Sequence, residues 1–431
     1  MSDMLRIDSF GEFVQVASSE IILERSSSPG DVHEEPLLNG LAYRLFRQSL
    51  DIEERRKQGT FFSGPKIAGF LASTLRRRLP ADALVMDPTC GLGDLLLAYA
   101  AELPLQATLD GTLADWGAKL AGLDLNAGLV RMAKTRLVML ARSRGKFTAR
   151  LKDIDDYFPL IRVGDMLSEL HVLADADGFL FNPPFGQTSE YGSAEWGSGN
   201  VNAAATFLAA VIENRKPGAP IAAVLPEVLR CGSRYERFRE HLEAAGLCGN
   251  YRSCGRFDTW TDVDVFTTLL TDDSSPSVWR DAGKLAIAGK VVSSYFDVRV
   301  GAVVPHRNPE LGPWSRYICA KSTPAWATYM PNRSRRFKGT TFQPPFVVVR
   351  RTSSPSDRQR AVATIITGDK RVAVENHLLV LLPKDQSLEA CENLLNVLRG
   401  LGTTVYLNET IRCRHLTTAS VGSIPWNENN G

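Results

Sequence analysis

Ala83-Leu84-Val85-Met86-Asp87-Pro88-Thr89-Cys90-Gly91-Leu92-Gly93-Asp94 decides the fold. Residues 83–86 read as a buried strand, and 93–102 as a helix that opens on the second glycine. A Gly-x-Gly turn between strand and helix lets backbone approach a ligand at the carboxyl edge of a sheet. Two features separate this turn from a dinucleotide fingerprint. A third glycine is missing, and Asp87 stands where a pyrophosphate would be repelled. A carboxylate there suits a ligand that carries an ammonium group. The same alternation continues downstream: strands at 120–125, 161–163, 178–181 and 221–225, and helices at 127–142 and 203–214. Upstream, a helix is expected over 63–79, with Pro65 suited to its first turn. This spacing predicts an α/β domain with a doubly wound, mainly parallel sheet.

The strand ends carry the next signal. Strand two ends Gly122-Leu123-Asp124-Leu125-Asn126, placing an acid where it can accept both ribose hydroxyls. Strand three ends Val163-Gly164-Asp165-Met166-Leu167, where a carboxylate can accept an adenine amino group and Met166 can pack on the ring. Any one of these acids alone is best read as a solvated strand-end residue. Three at successive strand ends read as an adenosyl ligand lying across the sheet edge.

Strand four ends in Phe181-Asn182-Pro183-Pro184-Phe185-Gly186. The prolines donate no N–H and fix their own φ, so the carbonyls around them are held rigidly. Asn182 adds a side-chain acceptor and Phe185 a flat face for a planar ring. An exocyclic amine is a poor nucleophile because its lone pair is delocalised. Bonding both amino hydrogens, to the Asn182 side-chain oxygen and the Pro183 carbonyl, localises that pair and stabilises the charge developing on nitrogen. The chemistry indicated is methylation of a base amine. A base inside a duplex must be flipped out to reach such a pocket.

In their order these blocks resemble the gamma-class amino-methyltransferases of DNA, which include the modification subunits of type I restriction systems. Gly59-Thr60-Phe61-Phe62-Ser63-Gly64-Pro65 is similar to that family's first block, with Gly64 as one extra residue before the proline. Residues 221–226 through Gly232 and Arg237, and a strand pair near 263–270, resemble its fifth strand and closing hairpin. The likeness covers about residues 58–272. It implies a Rossmann-like class I methyltransferase fold and S-adenosyl-L-methionine as cofactor. The implied cofactor site is Thr60, Phe61, Phe62, Ser63, Pro65, Asp87, Cys90, Gly91, Gly93, Asp124, Leu125, Asp165 and Met166. The implied catalytic motif is Asn182, Pro183, Pro184 and Phe185, acting on adenine N6 in double-stranded DNA. A restriction endonuclease or a specificity subunit is the partner such a system implies. RNA adenine, cytosine N4 and a protein glutamine fit the same acceptors, and a catalytically retired nucleic-acid-binding protein is the rival from another class.

Composition sets looser bounds. The chain has 431 residues, 44% of them hydrophobic, enough for two cores. We expect an N-terminal helical extension over 1–57, the catalytic domain over 58–284 and a smaller α/β target-recognition domain over 285–431. In the last, short β-rich runs are expected at 291–292, 298–304, 346–349 and 378–382, with one helix at 388–398. Fifty basic and 48 acidic residues leave a net charge of +2, so any nucleic-acid surface must be local. It is expected at 331–360, where Arg333, Arg335, Arg336, Lys338, Arg350, Arg351, Arg358 and Arg360 stand against Asp357 alone, interleaved with Phe337, Phe342 and Phe346. The polar stretch 187–201 reads either as a loop ordered by nucleic acid or as plain surface. Seven scattered cysteines show no zinc spacing, and His306, His377 and His415 are isolated, so no metal site is expected. With no signal peptide and no membrane-length apolar run, a soluble cytoplasmic protein is expected.

Overall fold

The structure is a computed structural model that describes Val14 and residues 64–147, 151, 153–188, 196, 201–257, 263–272, 289–411 and 414–426. The expected N-terminal extension, the first family block from Thr60 to Ser63 and nearly all of the stretch 272–277 lie outside the described residues. The chain divides into two compact units, Met1–Leu229 with Arg234–Val278, and Arg230–Ser233 with Trp279–Gly431.

The first unit is built on a seven-stranded sheet. Its strands are β1 Val85–Asp87, β2 Leu120–Asp124, β3 Ile161–Val163, β4 Gly178–Phe181, β5 Ile221–Pro226, β6 Cys248–Arg256 and β7 Asp264–Thr271. Their order across the sheet is β3-β2-β1-β4-β5-β7-β6, with β1 to β5 parallel and β7 antiparallel to both of its neighbours. The order reverses between β1 and β4, so the loops after these two strands lie side by side at the carboxyl edge. Such a switch point is where open α/β sheets bind ligands. Every residue of β1, β4 and β5 is buried, as expected for strands covered on both faces.

Its longer helices are α1 Pro65–Arg76, α2 Asp94–Ala100, α3 Leu109–Gly117, α4 Ala127–Gly145, α5 Ala203–Asn214 and α6 Glu236–Ala244. Pro65 takes the first turn of α1, and Ala68, Leu71, Ala72 and Leu75 form its buried stripe. Asn126 caps α4 by accepting from Gly128 N at 2.9 Å and Leu129 N at 3.2 Å. Helix α3 is not legible in the sequence, because it is short and Gly111 falls in its first turn.

The second unit holds a five-stranded sheet and a three-stranded sheet. Its strands are β8 Phe296–Val300, β9 Trp314–Ile318, β10 Thr328–Tyr329, β11 Ser334–Arg336, β12 Phe346–Arg350, β13 Ala363–Ile366, β14 Val372–Val374 and β15 Leu378–Pro383. The orders are β8-β15-β12-β13-β10 and β11-β9-β14. Helices α7 Leu388–Arg399 and α8 Leu401–Thr410 supply Leu394, Val397, Leu398 and Leu407 to a core completed by Val347, Val349, Leu379 and Leu381. The ends of the unit are tied together: Val292 N donates to the Ile424 carbonyl at 2.9 Å and Trp426 N to the Lys290 carbonyl at 2.8 Å. Two expectations are corrected here. Residues 292–295 form a helical turn instead of a strand, and α8 follows α7 after Gly400. A strand at 291–292 would need a ladder partner, and only Val291 finds one, as a single bridge to Pro425.

Candidate functional site: the carboxyl edge of the first sheet

Asp87 ends β1 and is 2% exposed. Its Oδ1 accepts from Thr89 N at 3.1 Å, which turns the chain sharply after the strand. Gly91 and Gly93 then adopt positive φ of 51° and 78°. At Gly93 a side chain would also collide with helix α4, since a Cβ there would stand 2.9 Å from the Ala133 Cβ. Burial pushes the Asp87 carboxyl up to about 8, and the nearby Asp124 and Asp94 add to the rise against the Thr89 hydrogen bond. A carboxyl raised that far is mostly neutral at pH 7, and a cation placed beside it would favour the ionised form.

Asp124, at the end of β2, ties the turn to its own strand. Its Oδ2 accepts from Gly91 N at 3.0 Å and its Oδ1 from Asn126 N at 2.8 Å. Burial also raises this carboxyl above the usual range. Each oxygen keeps a second lone pair for a ligand hydroxyl. Asp165 follows β3, and its oxygens accept from Leu167 N at 3.0 Å and Ser168 Oγ at 2.8 Å. Met166 is buried and Leu125 is 74% exposed at the strand tip. Cys90 is buried, its thiol pushed well above the usual value by desolvation, and its backbone N–H donates to the Leu123 carbonyl at 2.8 Å. It packs in the turn, where burial disfavours the thiolate a nucleophile needs.

Asn182, Pro183, Pro184 and Phe185 follow β4 directly, in the loop beside the Asp87–Gly93 turn. Thr89 Oγ1 donates to the Asn182 carbonyl at 3.2 Å, joining the two motifs across the switch point. Phe185 is buried and meets Phe257, which directly follows β6, edge to face with centroids 5.7 Å apart. Pro65 lies at the start of α1, and the rest of the first family block lies outside the described residues.

Several supporting residues were not singled out by sequence reasoning. Arg136, buried on α4, donates to the Leu92 carbonyl at 2.6 Å and to Asp94 at 2.7 Å, bracing the glycine turn from behind. Asn202, buried, donates through Nδ2 to the Phe185 carbonyl at 2.9 Å while its Oδ1 caps α5 by accepting from Ala204 N at 3.0 Å. The Tyr235 hydroxyl accepts from Asn202 N at 2.8 Å. Tyr235 and Trp196 both pack on Phe238, with centroids 6.5 and 4.8 Å away. Asn202 was legible only as a helix cap, an asparagine before an apolar run. Asn202→Ala is expected to lower turnover on the natural substrate about tenfold or more, with little change in cofactor affinity. Steady-state kinetics alongside calorimetry check this; an equal loss of cofactor binding would make Asn202 a structural cap alone.

The basic segment of the second unit is corrected in part. Arg335 is 9% exposed and lies over the Tyr317 ring at 5.6 Å, and Arg360 is fully buried with bonds to Ser353, Asn408 and the Ile411 carbonyl. Phe337, Phe342 and Phe346 are buried too, so they form core and not a stacking platform. Burying a guanidinium demands hydrogen-bond partners: Arg360 has several internal ones, and Arg335 donates to the Asn308 carbonyl at 2.6 Å. Arg333, Arg336, Lys338 and Arg358 are exposed, while Arg350, which donates to the Thr323 carbonyl at 3.2 Å, and Arg351 are half-buried. Among the described residues no helix is long and apolar enough to cross a membrane, and no group of acids, histidines and cysteines could hold a metal ion.

No family model matches the chain, and no curated protein matches it in sequence. Solved structures do. The type IIL restriction-modification enzyme MmeI, solved in complex with DNA, is 13% identical with a TM-score of 0.54, over 88% of this chain and 69% of that one. DrdV in its DNA complex is 12% identical with a TM-score of 0.49, over 93% of this chain and 59% of that one. The M protein of the type I restriction enzyme EcoKI is 16% identical with a TM-score of 0.38, over 63% of this chain and 57% of that one. The sheet order with its antiparallel β7, and the likeness to MmeI, define the fold as a Rossmann-like α/β fold with a mainly parallel sheet.

Proposed function

We propose that the protein transfers a methyl group from S-adenosyl-L-methionine to the N6 amino group of adenine in double-stranded DNA, within a restriction-modification or related defence system. The observation that carries this reading is the Thr89–Asn182 contact. It sets the amine-gripping loop after β4 against the acidic edge formed by β1, β2 and β3, so acceptors for a base amine and a cradle for a cationic nucleoside share one loop cluster.

The residues fit that cofactor. Its ammonium suits Asp87, a buried carboxyl with no cation among the groups that shift it. Asp124 would hold the ribose hydroxyls and Asp165 the adenine amine, with Met166 and Leu125 beside the ring. When bound, the cofactor supplies an electrophilic methyl on a sulfonium. The chain's own part is to hold the target amine by the Asn182 side-chain oxygen and the Pro183 carbonyl, concentrating its lone pair and stabilising the growing positive charge. The methylated amine is acidic enough to lose its proton without a dedicated base. Phe185 offers a face to the flipped base once Phe257 and its other neighbours part.

The likeness to MmeI, a restriction-modification enzyme solved with DNA, supports a DNA substrate. The second unit is then the target-recognition region, and a nuclease or specificity subunit the partner. Incubating the protein with labelled cofactor and mixed DNA, then separating the nucleosides, tests the whole reading. N6-methyladenine is the expected product. Label in cytosine N4, RNA or protein would move the substrate and leave the mechanism standing; no label and no cofactor binding would favour a retired enzyme. Asp124→Ala is expected to weaken cofactor binding at least about tenfold, since a hydrogen bond to a charged group contributes roughly 1.5–3 kcal/mol. Unchanged affinity by calorimetry would remove Asp124 from the site.

A further inference from the structure

In the second unit, β9 and β11 pair antiparallel into a ribbon whose two faces differ in chemistry. One face is internal. Arg335 lies over Tyr317, donates to the Asn308 carbonyl at 2.6 Å and pairs with Glu310 at 3.6 Å. Phe337, Val303 and Ala373 pack together with Tyr317 on that side. The opposite face carries Trp314, 69% exposed, and the register sets it directly across from Arg336. Arg316, half-buried and two residues along β9, projects to the same side, at the edge where that face passes into the core at Ile318.

Both arginines are aimed but not neutralised. Arg336 Nε donates to the Gly312 carbonyl at 2.9 Å, and Arg316 Nη1 to the Asn332 carbonyl at 3.2 Å and Ser334 Oγ at 3.4 Å. Those acceptors are neutral, and among the described residues neither arginine has a carboxylate within 4.0 Å. Arg333 and Lys338, both exposed, lie at either end of β11. Glu310 is engaged by Arg335.

We propose that the outer face of this ribbon is a DNA-docking surface, with Trp314 against base or sugar surface in a groove and Arg316 and Arg336 on flanking phosphates. An indole between fixed, uncompensated cations complements a polyanion that carries flat rings. A two-stranded ribbon also has the cross-section that the major groove of a duplex admits. An apolar protein partner would gain from the indole and lose by desolvating the guanidinium groups. The inference rests on the proposed DNA substrate, but its observation is independent of the methyl-transfer site.

The test uses the full chain, a fluorescein-labelled duplex of mixed sequence and anisotropy over a series of salt concentrations. Trp314→Ala is expected to weaken binding about tenfold with an unchanged salt slope, and Trp314→Phe to keep most of the affinity. The double variant Arg316→Ala/Arg336→Ala is expected to weaken binding and to flatten the logarithmic salt slope by about 1.8, two phosphate contacts at about 0.9 each. Cofactor affinity and melting temperature should stay as in the unsubstituted protein. If that protein binds the duplex and all variants bind it equally well, the surface is wrong and the proposed function stands. If it binds S-adenosylmethionine but no duplex, both the surface and the DNA substrate fall. Tighter binding to RNA of the same sequence would overturn the assignment to DNA.

Discussion

Asn182→Ala is expected to reduce methyl transfer about 100- to 1000-fold while leaving cofactor affinity within about twofold of the unsubstituted protein. Removing one preorganised partner of a developing transition-state charge has effects of that size. The two readouts separate because the parts of the site are separate. In the proposed mechanism the Asn182 side chain serves the target amine, whereas the carboxylates of Asp87, Asp124 and Asp165 lie on other strand ends. The fold should survive, because β4 is held by β1 and β5 on either side and the loop itself by Thr89 through the Asn182 backbone carbonyl, which the substitution keeps. Radiolabel incorporation into DNA together with calorimetry for the cofactor decides it. Activity within a few-fold of the unsubstituted protein would refute the role of Asn182; parallel loss of both readouts would show a collapsed loop instead.

Cofactor binding should strengthen steeply as pH rises toward 8, about tenfold per unit through the range where Asp87 is still protonated. The buried carboxyl has its pKa raised from 3.8 to about 8, chiefly by desolvation. A ligand ammonium pairs with the ionised form only, so binding at pH 7 must expel the proton. Calorimetry at pH 7 in buffers of different ionisation enthalpy should therefore report release of close to one proton. Asp124 is raised as well, which shifts the same way. The sign for stability runs opposite. Because the folded state holds this proton more tightly than the unfolded chain, the stabilisation is complete below about pH 4 and is lost as pH rises through about 8. The free protein should thus melt at lower temperature as pH climbs across that window, and saturating cofactor should narrow the difference. Asp87→Asn, which cannot ionise, should bind weakly at every pH and lose most of this dependence. An affinity independent of pH from 6 to 8 would remove the ammonium from Asp87.

The order of the sheet's edge loops was legible in the sequence because each loop is a local event. A strand of buried residues, a turn with an acid and a helix cap follow from a few neighbouring side chains, so the positions of Asp87, Asp124, Asp165 and Asn182 at strand ends could be read without tertiary information. Helix α5 falls at 203–214 as its apolar run indicates. Helix α3 and the strands β9, β11, β13 and β14 escaped, because their patterns are short and interrupted, and strand formation in a small sheet depends on distant partners. β13, for example, pairs with β12 and β10, and β14 with β9.

Local periodicity and turn chemistry thus set the fold class and the list of chemical groups at the sheet edge. Which of those groups touch, and in what state, follows from contacts between distant parts of the chain. The Thr89–Asn182 bond and the Asn202–Phe185 bond span 93 and 17 residues, and the rise of the Asp87 carboxyl comes from burial that no window of sequence reports. The basic segment shows the same limit. Counting arginines along 331–360 cannot tell Arg335 and Arg360, enclosed with internal partners, from Arg336, which stands in solvent across from Trp314. Charge is a property of composition, but its availability to a ligand is decided by packing, since a guanidinium that is desolvated must already have its hydrogen bonds made.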